Sequence, residues 1–296
     1  MTPILRGAIP VLMAALALAD TGCGSKSSDR SPTSPAGPQP AVAGSGAQGV
    51  RAMAVAPGLG MAGSFGVVGG STVTNTGPTV VNGDLGVSPG SALTGFPPGI
   101  VNGTIHLADA AALSAQGAVT TAYNSLASQA CNINLTGTNL GGLTLTPGVY
   151  CFSSSAQLTG TLTLNGLGNP GSVWVFQIGT TLTTASGSSV VFINGAQPCG
   201  AFWQVGSSAT LGSTTAFSGN ILALASITLN TGATNSGALF AQTGAVTLDS
   251  NVVSVVGSCG SGPQPSPTPL PALPEAATWG LLAILLAGGA FVFGRR

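Results

Sequence analysis

The sequence predicts a mainly β fold, a three-sided solenoid of stacked coils with one long α-helix alongside, and three observations carry that expectation. A Thr-Leu step recurs at Thr144, Thr161, Thr181, Thr210, Thr228 and Thr247, at spacings of 17, 20, 29, 18 and 19 residues. Between these steps lie short alternating apolar segments closed by Gly and Asn-Gly corners. One stretch alone, Leu107 to Ala130, carries its apolar residues at helical spacing instead.

The period comes first, because self-similarity decides the architecture. A repeat near 18 residues is shorter than helical repeat units, which need more than about 30. It suits one coil made of three short strands with a tight corner after each. The 29-residue step contains an insertion, read as Asn194 to Gly206, which carries Cys199 and Trp203. Within the coils, Thr144-Leu145-Thr146 and Thr161-Leu162-Thr163 alternate, so Leu points inward and both Thr outward. Ser172 to Ile178 and Gly219 to Leu224 read as strands with apolar inner residues. The dipeptides Asn82-Gly83, Asn102-Gly103, Asn165-Gly166 and Asn194-Gly195 supply the positive φ that sharp corners require. Coils stacked in this way bury a continuous core. In the helical stretch, Leu107, Ala111, Ala115, Val119, Leu126 and Ala130 fall on one side with Tyr123, and Asp109 sits in the first turn, where the helix dipole favours an anion.

Composition narrows the function. All six basic residues lie near the chain ends: Arg6, Lys26, Arg30, Arg51, Arg295 and Arg296. From Ala52 to Gly260 the only acids are Asp84, Asp109 and Asp249. Nucleic-acid binding needs Lys and Arg to displace counterions from phosphates, so that class is excluded. The 46 glycines raise the question of disorder, but Val, Leu, Ile and Phe recur throughout the middle and supply the burial that a disordered chain lacks.

The organisation reads as five segments. Residues 1–23 form a signal peptide, with a basic start, an apolar run from Gly7 to Ala19 and a small-residue end. Its Gly22-Cys23-Gly24 resembles a bacterial lipoprotein signal with Cys23 as the lipidation candidate, although Asp20 stands where such signals carry Leu. Residues 24–63 are a Ser/Pro/Gly linker, 64–260 the solenoid domain, and 261–269 a Pro-rich linker. Residues 270–296 hold Leu270-Pro271-Ala272-Leu273-Pro274-Glu275, an uncharged stretch from Ala276 to Gly294, and Arg295-Arg296. That tripartite plan resembles the Ile-Pro-Thr-Leu type of bacterial C-terminal sorting signal and implies a transmembrane helix. The expected location is therefore secreted or at the cell surface, anchored to the membrane of a bacterial envelope through the C-terminal helix.

The run Gly69 to Thr79, then Gly83-Asp84-Leu85-Gly86-Val87-Ser88-Pro89-Gly90 and Val101-Asn102-Gly103-Thr104-Ile105-His106, resembles the microbial ice-binding family. So do Leu143 to Tyr150, Phe202-Trp203-Gln204-Val205-Gly206 and Gly219-Asn220-Ile221-Leu222-Ala223. The resemblance covers Ser64 to Gly260, in order. It implies a discontinuous right-handed parallel β-solenoid with the helix packed alongside, and ice or ordered water as the partner. The family's motif of Thr, Ala/Gly, any residue, then Thr/Asn stands here as Thr76-Gly77-Pro78-Thr79, Thr136-Gly137-Thr138-Asn139 and Thr231-Gly232-Ala233-Thr234. Aligning coils on the Thr-Leu step places Thr181, Thr210, Thr228 and Thr247 in one column. The same alignment places Thr184, Ser213, Thr231 and Ser250 in a second. The candidate binding residues are thus Thr76, Thr79, Thr136, Asn139, Thr181, Thr184, Thr210, Ser213, Thr228, Thr231, Thr234 and Thr247. The alternative is a surface adhesin of the same fold that binds glycans or cells.

Beyond the leader, Cys131, Cys151, Cys199 and Cys259 are an even number in an exported domain, which suggests two disulfides. The favoured pairing joins Cys131 to Cys151, at the helix exit and the next strand. It also joins Cys199 to Cys259, from the insertion to the domain's end. No Cys-x-x-Cys is present and the sole histidine is His106, so no metal site and no cofactor are expected. Catalysis is not expected either: His106 with Asp109 reads as a polar pair at a helix cap, Asp84 as bonded within its own turn, and Asp249 as solvent-facing.

Overall fold

The computed structural model describes residues 53–257 together with Cys259. The leader with Cys23, most of the first linker, the Pro-rich linker and the sorting signal lie outside the described residues. Within them the chain forms parallel sheets of nine, seven and eight strands, here sheets I, II and III. Each coil contributes one short strand to each sheet in turn: Asn220–Ala223, Ile227–Leu229 and Thr234–Ser236 make one coil, and Leu239–Ala241, Val246–Asp249 and Val252–Ser254 the next.

The order of coils in the stack is not their order in the chain. The coil that opens at Phe65–Gly69 lies against the last one, with Val67 paired to Leu239. One further coil, opening at Asp84–Val87, and a last strand, Ile105–Leu107, extend the stack to one end. The helix α1, Ala110–Ala127, leaves that end, and the chain resumes at the other with Ile133–Asn134. From there it climbs through Gly148–Phe152, Trp174–Ile178 and Ala201–Val205 back to the middle. The solenoid is discontinuous, as the family resemblance implies.

Helix α1 lies along sheet I and explains why the strands of that sheet do not alternate. Phe65–Gly69 and Ala201–Val205 are buried at every position. One set of side chains, including Val67, Leu85, Phe176, Trp203, Ile221 and Leu239, fills the lumen. The other set, Val68, Val149, Val175, Phe202, Leu222 and Phe240, meets Ala115, Val119, Ala122 and Leu126 of the helix. Each such Val, Leu or Phe removed from water contributes about 1.5–3 kcal/mol, so the helix adds a second core to the first. The stripe the helix buries is Ala112, Ala115, Gln116, Val119, Ala122 and Leu126, rotated from the one predicted. Gln116 belongs to it because its Nε2 donates to the carbonyls of Ala241 (3.1 Å) and Gln242 (2.5 Å).

Within the lumen, aromatic residues stack in register. Tyr150, Phe176 and Trp203 occupy paired positions on consecutive strands. Their ring centroids stand 5.5 and 3.9 Å apart. Phe217 closes the stack 4.8 Å from Trp203. The indole N–H of Trp203 donates to the Ser218 carbonyl at 3.1 Å. Glycine at 219 makes that approach feasible, since a Cβ there would sit 2.7 Å from the same indole nitrogen.

Two readings of the sequence need correction here. Trp203 is not part of an insertion but the centre of a regular strand. The extra residues are confined to the corner Asn194–Gly200, and a second wide corner, residues 166–173, lies beside it. The two corners bond to each other through Gly166 N–H to Ile193 O and Gly168 N–H to Asn194 O. Residues 53–63, assigned by composition to the linker, pack on the helix: Ala62 is buried, and Val55 exchanges backbone bonds with the Gln129 side chain at 2.9 and 2.7 Å.

Both expected disulfides are present. Cys131–Cys151 closes a separation of 20 residues and Cys199–Cys259 one of 60. Loop-closure entropy sets their contributions at about 3 and about 4 kcal/mol.

The corners between sheets II and III share one backbone conformation. Gly77, Gly187 and Gly232 have φ of 75°, 69° and 73°, and at the same place in other coils Thr214 and Ser250 have φ of 57° and 55°. A β-branched residue in the left-handed region is strained by about 1–2 kcal/mol. Thr214→Gly is therefore expected to raise stability by about 0.5–1 kcal/mol after the added entropy of glycine is deducted. In thermal unfolding that is a gain of about 1–4 °C.

Candidate functional site

Sheet I is covered by the helix, which leaves sheets II and III to face outward. Sheet II has a strict inside–outside alternation. Ala209–Leu211 and Ile227–Leu229 bury their outer two residues and present the central threonine. Pairing registers these threonines into one unbroken column: Thr183, Thr210, Thr228, Thr247, Thr74 and Thr94, each directly opposite the next. At the Thr183 end the column continues into Gln157 and then Asn139. Backbone pairing fixes the step at about 4.8 Å, so six threonines make a row of about 24 Å. Branching at Cβ limits each side chain to few rotamers, which orders hydroxyls and methyls before any ligand arrives. At one step the hydroxyls touch: Thr74 Oγ1 donates to Thr247 Oγ1 at 3.4 Å.

Two residues earlier along each strand, on the same side, stand Thr181, Ser208, Ser226, Ala245, Thr72 and Ala92. Ser208, Ser226, Ala245 and Ala92 are smaller than threonine, so the surface steps down into a shallow trough beside the row between Thr181 and Thr72 and again at Ala92. On the other side, the residues that precede the left-handed corner positions form a further row. Backbone bonds from Ser250 to Thr76, Gly232 to Asp249, Thr214 to Thr231 and Gly187 to Ser213 set its order as Thr76, Asp249, Thr231, Ser213.

Sheet III is less regular. One outward column, at the strand starts, is Thr161, Ser189, Ala216, Thr234, Val252, Val80, Ile100, and a second, two residues on, includes Ser218, Ser236, Ser254, Asn82 and Asn102. The strand-start column ends in aliphatic residues, with Val252 41% and Ile100 55% exposed. Neither column repeats one residue type throughout, and in the second the side chains of Ser254, Asn82 and Asn102 bond one another, whereas the sheet II row repeats threonine alone.

A family model described as Ice-binding-like matches residues 67–254, the extent of the coils just described. The chain belongs to the ice-binding-like family. An ice-binding protein of Nostoc sp. (strain HG1) is 56% identical over 207 residues, covering 70% of this chain and 76% of the relative. Ice-binding protein 1 of Shewanella frigidimarina is 45% identical over 142 residues, 45% of this chain and 15% of that protein. Among solved structures, an ice-binding protein from the Antarctic ascomycete Antarctomyces psychrotrophicus superposes with a TM-score of 0.67 at 45% identity, covering 69% of this chain and 100% of that one. One from an Antarctic biological consortium gives 0.67 at 47% identity, covering 69% and 92%.

Within this ice-binding-like domain the expected binding residues part company. Thr210, Thr228 and Thr247 stand in the row on sheet II. Thr181 does not: it lies two residues off, at the end of the trough, and Thr183 takes its place opposite Thr210. Thr184 is turned inward and buried, where its hydroxyl bonds Thr215 Oγ1 and accepts from Gly212 N–H, both at 2.9 Å. Thr79 is also buried, its Oγ1 accepting from Asn251 N–H at 3.0 Å. Thr234 is exposed on sheet III, a different face. Thr76, Thr231 and Ser213 line the corner. Thr136 and Asn139 lie on the terminal coil, where Asn139 Oδ1 accepts from Gly141 and Thr159 N–H. Of the three Thr-Gly-x-Thr/Asn stretches, two turn at the same corner, Gly77 and Gly232 between sheets II and III, while Gly137 turns between sheets I and II; each glycine takes the positive φ that bends the chain.

Sequence reasoning missed Thr183, Thr74 and Thr94. The recurring step is an apolar residue followed by Thr, as in Val73-Thr74, Leu93-Thr94, Leu182-Thr183 and Ile227-Thr228. Searching for Thr-Leu alone hides half of the row.

The titratable groups have structural employment. Asp109 caps α1, with Oδ1 accepting from Ala112 N–H at 2.8 Å and Oδ2 paired with His106 Nδ1 at 2.7 Å. The Ala112 N–H first, then the His106 side chain, hold the Asp109 carboxyl below the usual aspartate range. Asp84 Oδ1 accepts from Thr104 N–H at 2.8 Å, a bond to the neighbouring coil and not to its own turn. Asp249 is half-buried at the corner and accepts from Thr231 and Ser250, so it does not simply face solvent. Among the described residues no group of His, Cys, Asp and Glu is arranged to hold a metal ion.

Proposed function

We propose that this chain binds ice through sheet II, with the threonine row as the contact surface. The observation that supports this most is the uninterrupted register of six identical side chains across six coils. A ligand that is itself a periodic lattice is matched by a periodic surface. The row offers hydroxyls to bond to water and methyls to exclude it, with no charge on the row itself. The neighbouring trough of small side chains leaves room for ordered water. Membership of a family whose relatives bear the name ice-binding protein supports the same reading.

Two rival readings lack support. Sugars stack on aromatic faces, yet the exposed large apolar side chains among the described residues are Met, Val, Ile and Leu. Catalysis needs a poised acid, base or nucleophile, and among the described residues Asp84, Asp109 and Asp249 each bond to the scaffold beside them. The apolar leader and the C-terminal Pro/Glu, apolar and Arg-Arg sequence support export and retention at the cell surface. Among the described residues, no helix is long and apolar enough to cross a membrane.

The test is growth of a single ice crystal in a solution of the full-length protein. Faceted crystals and a gap between melting and freezing points are the expected result; round, unshaped growth would refute ice binding. The face is tested separately with Thr234→Tyr on sheet III, which is expected to leave ice shaping unchanged. Loss of shaping in that variant would move the site to sheet III.

A further inference from the structure

The corner row beside the threonine row carries one exception. Thr76, Thr231 and Ser213 are hydroxyl residues, and between Thr76 and Thr231 stands Asp249. The other carboxylates of the described region lie elsewhere, Asp84 opening a strand of sheet I and Asp109 capping the helix. Asp249 is therefore the one described acid on the rim of the face proposed to meet ice.

Its bonding extends its influence beyond its own position. Thr231 Oγ1 donates to Asp249 Oδ2 across adjacent coils, and Ser250 Oγ donates to Oδ1 at 3.1 Å. A carboxylate accepts and never donates when ionised. Each hydroxyl that gives its proton to Asp249 then offers outward only its lone pairs. Three neighbouring positions, Thr231, Asp249 and Ser250, thus face water as acceptors. A Thr or Ser hydroxyl without such a partner rotates to donate or accept as required. Water in a solid lattice needs both. A charge also keeps its own hydration shell and resists giving it up at an interface.

We infer that Asp249 sets the lateral limit of the ice-contacting surface, confining it to the threonine row and trough and lowering the activity the face would otherwise have. This rests on the assignment of sheet II as the binding face. Asp249→Thr restores a hydroxyl in line with Thr76 and Thr231, and Asp249→Asn removes the charge while keeping the shape.

The experiment compares full-length wild type, both variants and Asp84→Asn for thermal hysteresis and recrystallisation inhibition at matched concentrations, with circular dichroism to verify the fold. The expected result is a rise of about twofold in hysteresis for both Asp249 variants, the scale of one partly exposed charge, and none for Asp84→Asn. Equal or lower activity in folded Asp249→Asn and Asp249→Thr would overturn the inference. An equal rise in Asp84→Asn would also overturn it, by making the effect one of net charge. Should Asp249→Asn unfold, Asp249→Thr decides alone; should both unfold, Thr231→Val, which frees one oxygen of the still-charged carboxylate, is expected to leave activity no higher than wild type, and a rise would refute the limit. Failure of the face itself is distinguishable, because wild type would then shape ice while substitutions in the threonine row had no effect.

Discussion

Thr228→Tyr is expected to abolish faceted ice growth while leaving the thermal unfolding midpoint almost unchanged. Thr228 stands mid-row, directly opposite Thr210 on one side and Thr247 on the other. A phenol at that point projects beyond the plane of its neighbours and holds a flat lattice away from the whole row, so one substitution costs many contacts. The side chain points away from the core, between buried Ile227 and Leu229, and surface changes of this kind shift stability by no more than about 0.5 kcal/mol. Nanolitre osmometry and crystal morphology give the first readout and circular dichroism the second. Retained hysteresis in a folded variant would remove sheet II as the binding face. The same substitution at Thr231, on the corner, is expected to weaken shaping less, because the row itself remains flat.

Trp203→Ala acts on the scaffold. The indole is fully buried, lies 3.9 Å from the Phe176 ring and 4.8 Å from that of Phe217, and donates to Ser218 O. Truncation removes both ring contacts, leaves a carbonyl without its donor and opens a cavity that a hydrogen-bonded coil cannot collapse to fill. The expected destabilisation is about 3–5 kcal/mol. For a domain of this size that lowers the unfolding midpoint by about 6–20 °C. Below the new midpoint, ice shaping is expected to persist, because backbone pairing sets the spacing of the row. A shift under 2 °C would show that the aromatic column adds little to the stack, a threshold at the low end of the usual conversion.

Much of the architecture was legible because coil, corner and helix obey different periods. The alternation around each Thr and the helical spacing after Leu107 are local patterns that the structure keeps. The Thr-Leu recurrence holds for Thr210, Thr228 and Thr247, whereas Thr144 and Thr161 fall on sheet III. The binding row was legible only in part. Thr210, Thr228 and Thr247 follow from alternation, but the position of Thr181 depends on register, which is fixed by how inner residues pack across coils. Thr184 shows why: in an inward place where neighbouring coils carry Leu211 and Leu229, it hides a hydroxyl by bonding Thr215 and Gly212, and no periodicity reveals that exchange. Thr74 and Thr94 escape a Thr-Leu search because Asn75 and Gly95 follow them, and no local pattern shows that Thr74 pairs with Thr247 across 173 residues.

That stacking order has a consequence for how the surface comes into being. Thr74 and Thr94 are made first and face each other, yet Thr74 meets Thr247 only after nearly the whole domain has been synthesised. The row forms in two parts, Thr183 to Thr247 coil by coil and Thr74 with Thr94 separately. Its two parts are joined in a single late step, when the last coil docks against the first. Such long-range closure is slow compared with local pairing. A nascent or truncated chain that lacks the final coil therefore carries two short threonine segments and no continuous row, so only a completed molecule displays it.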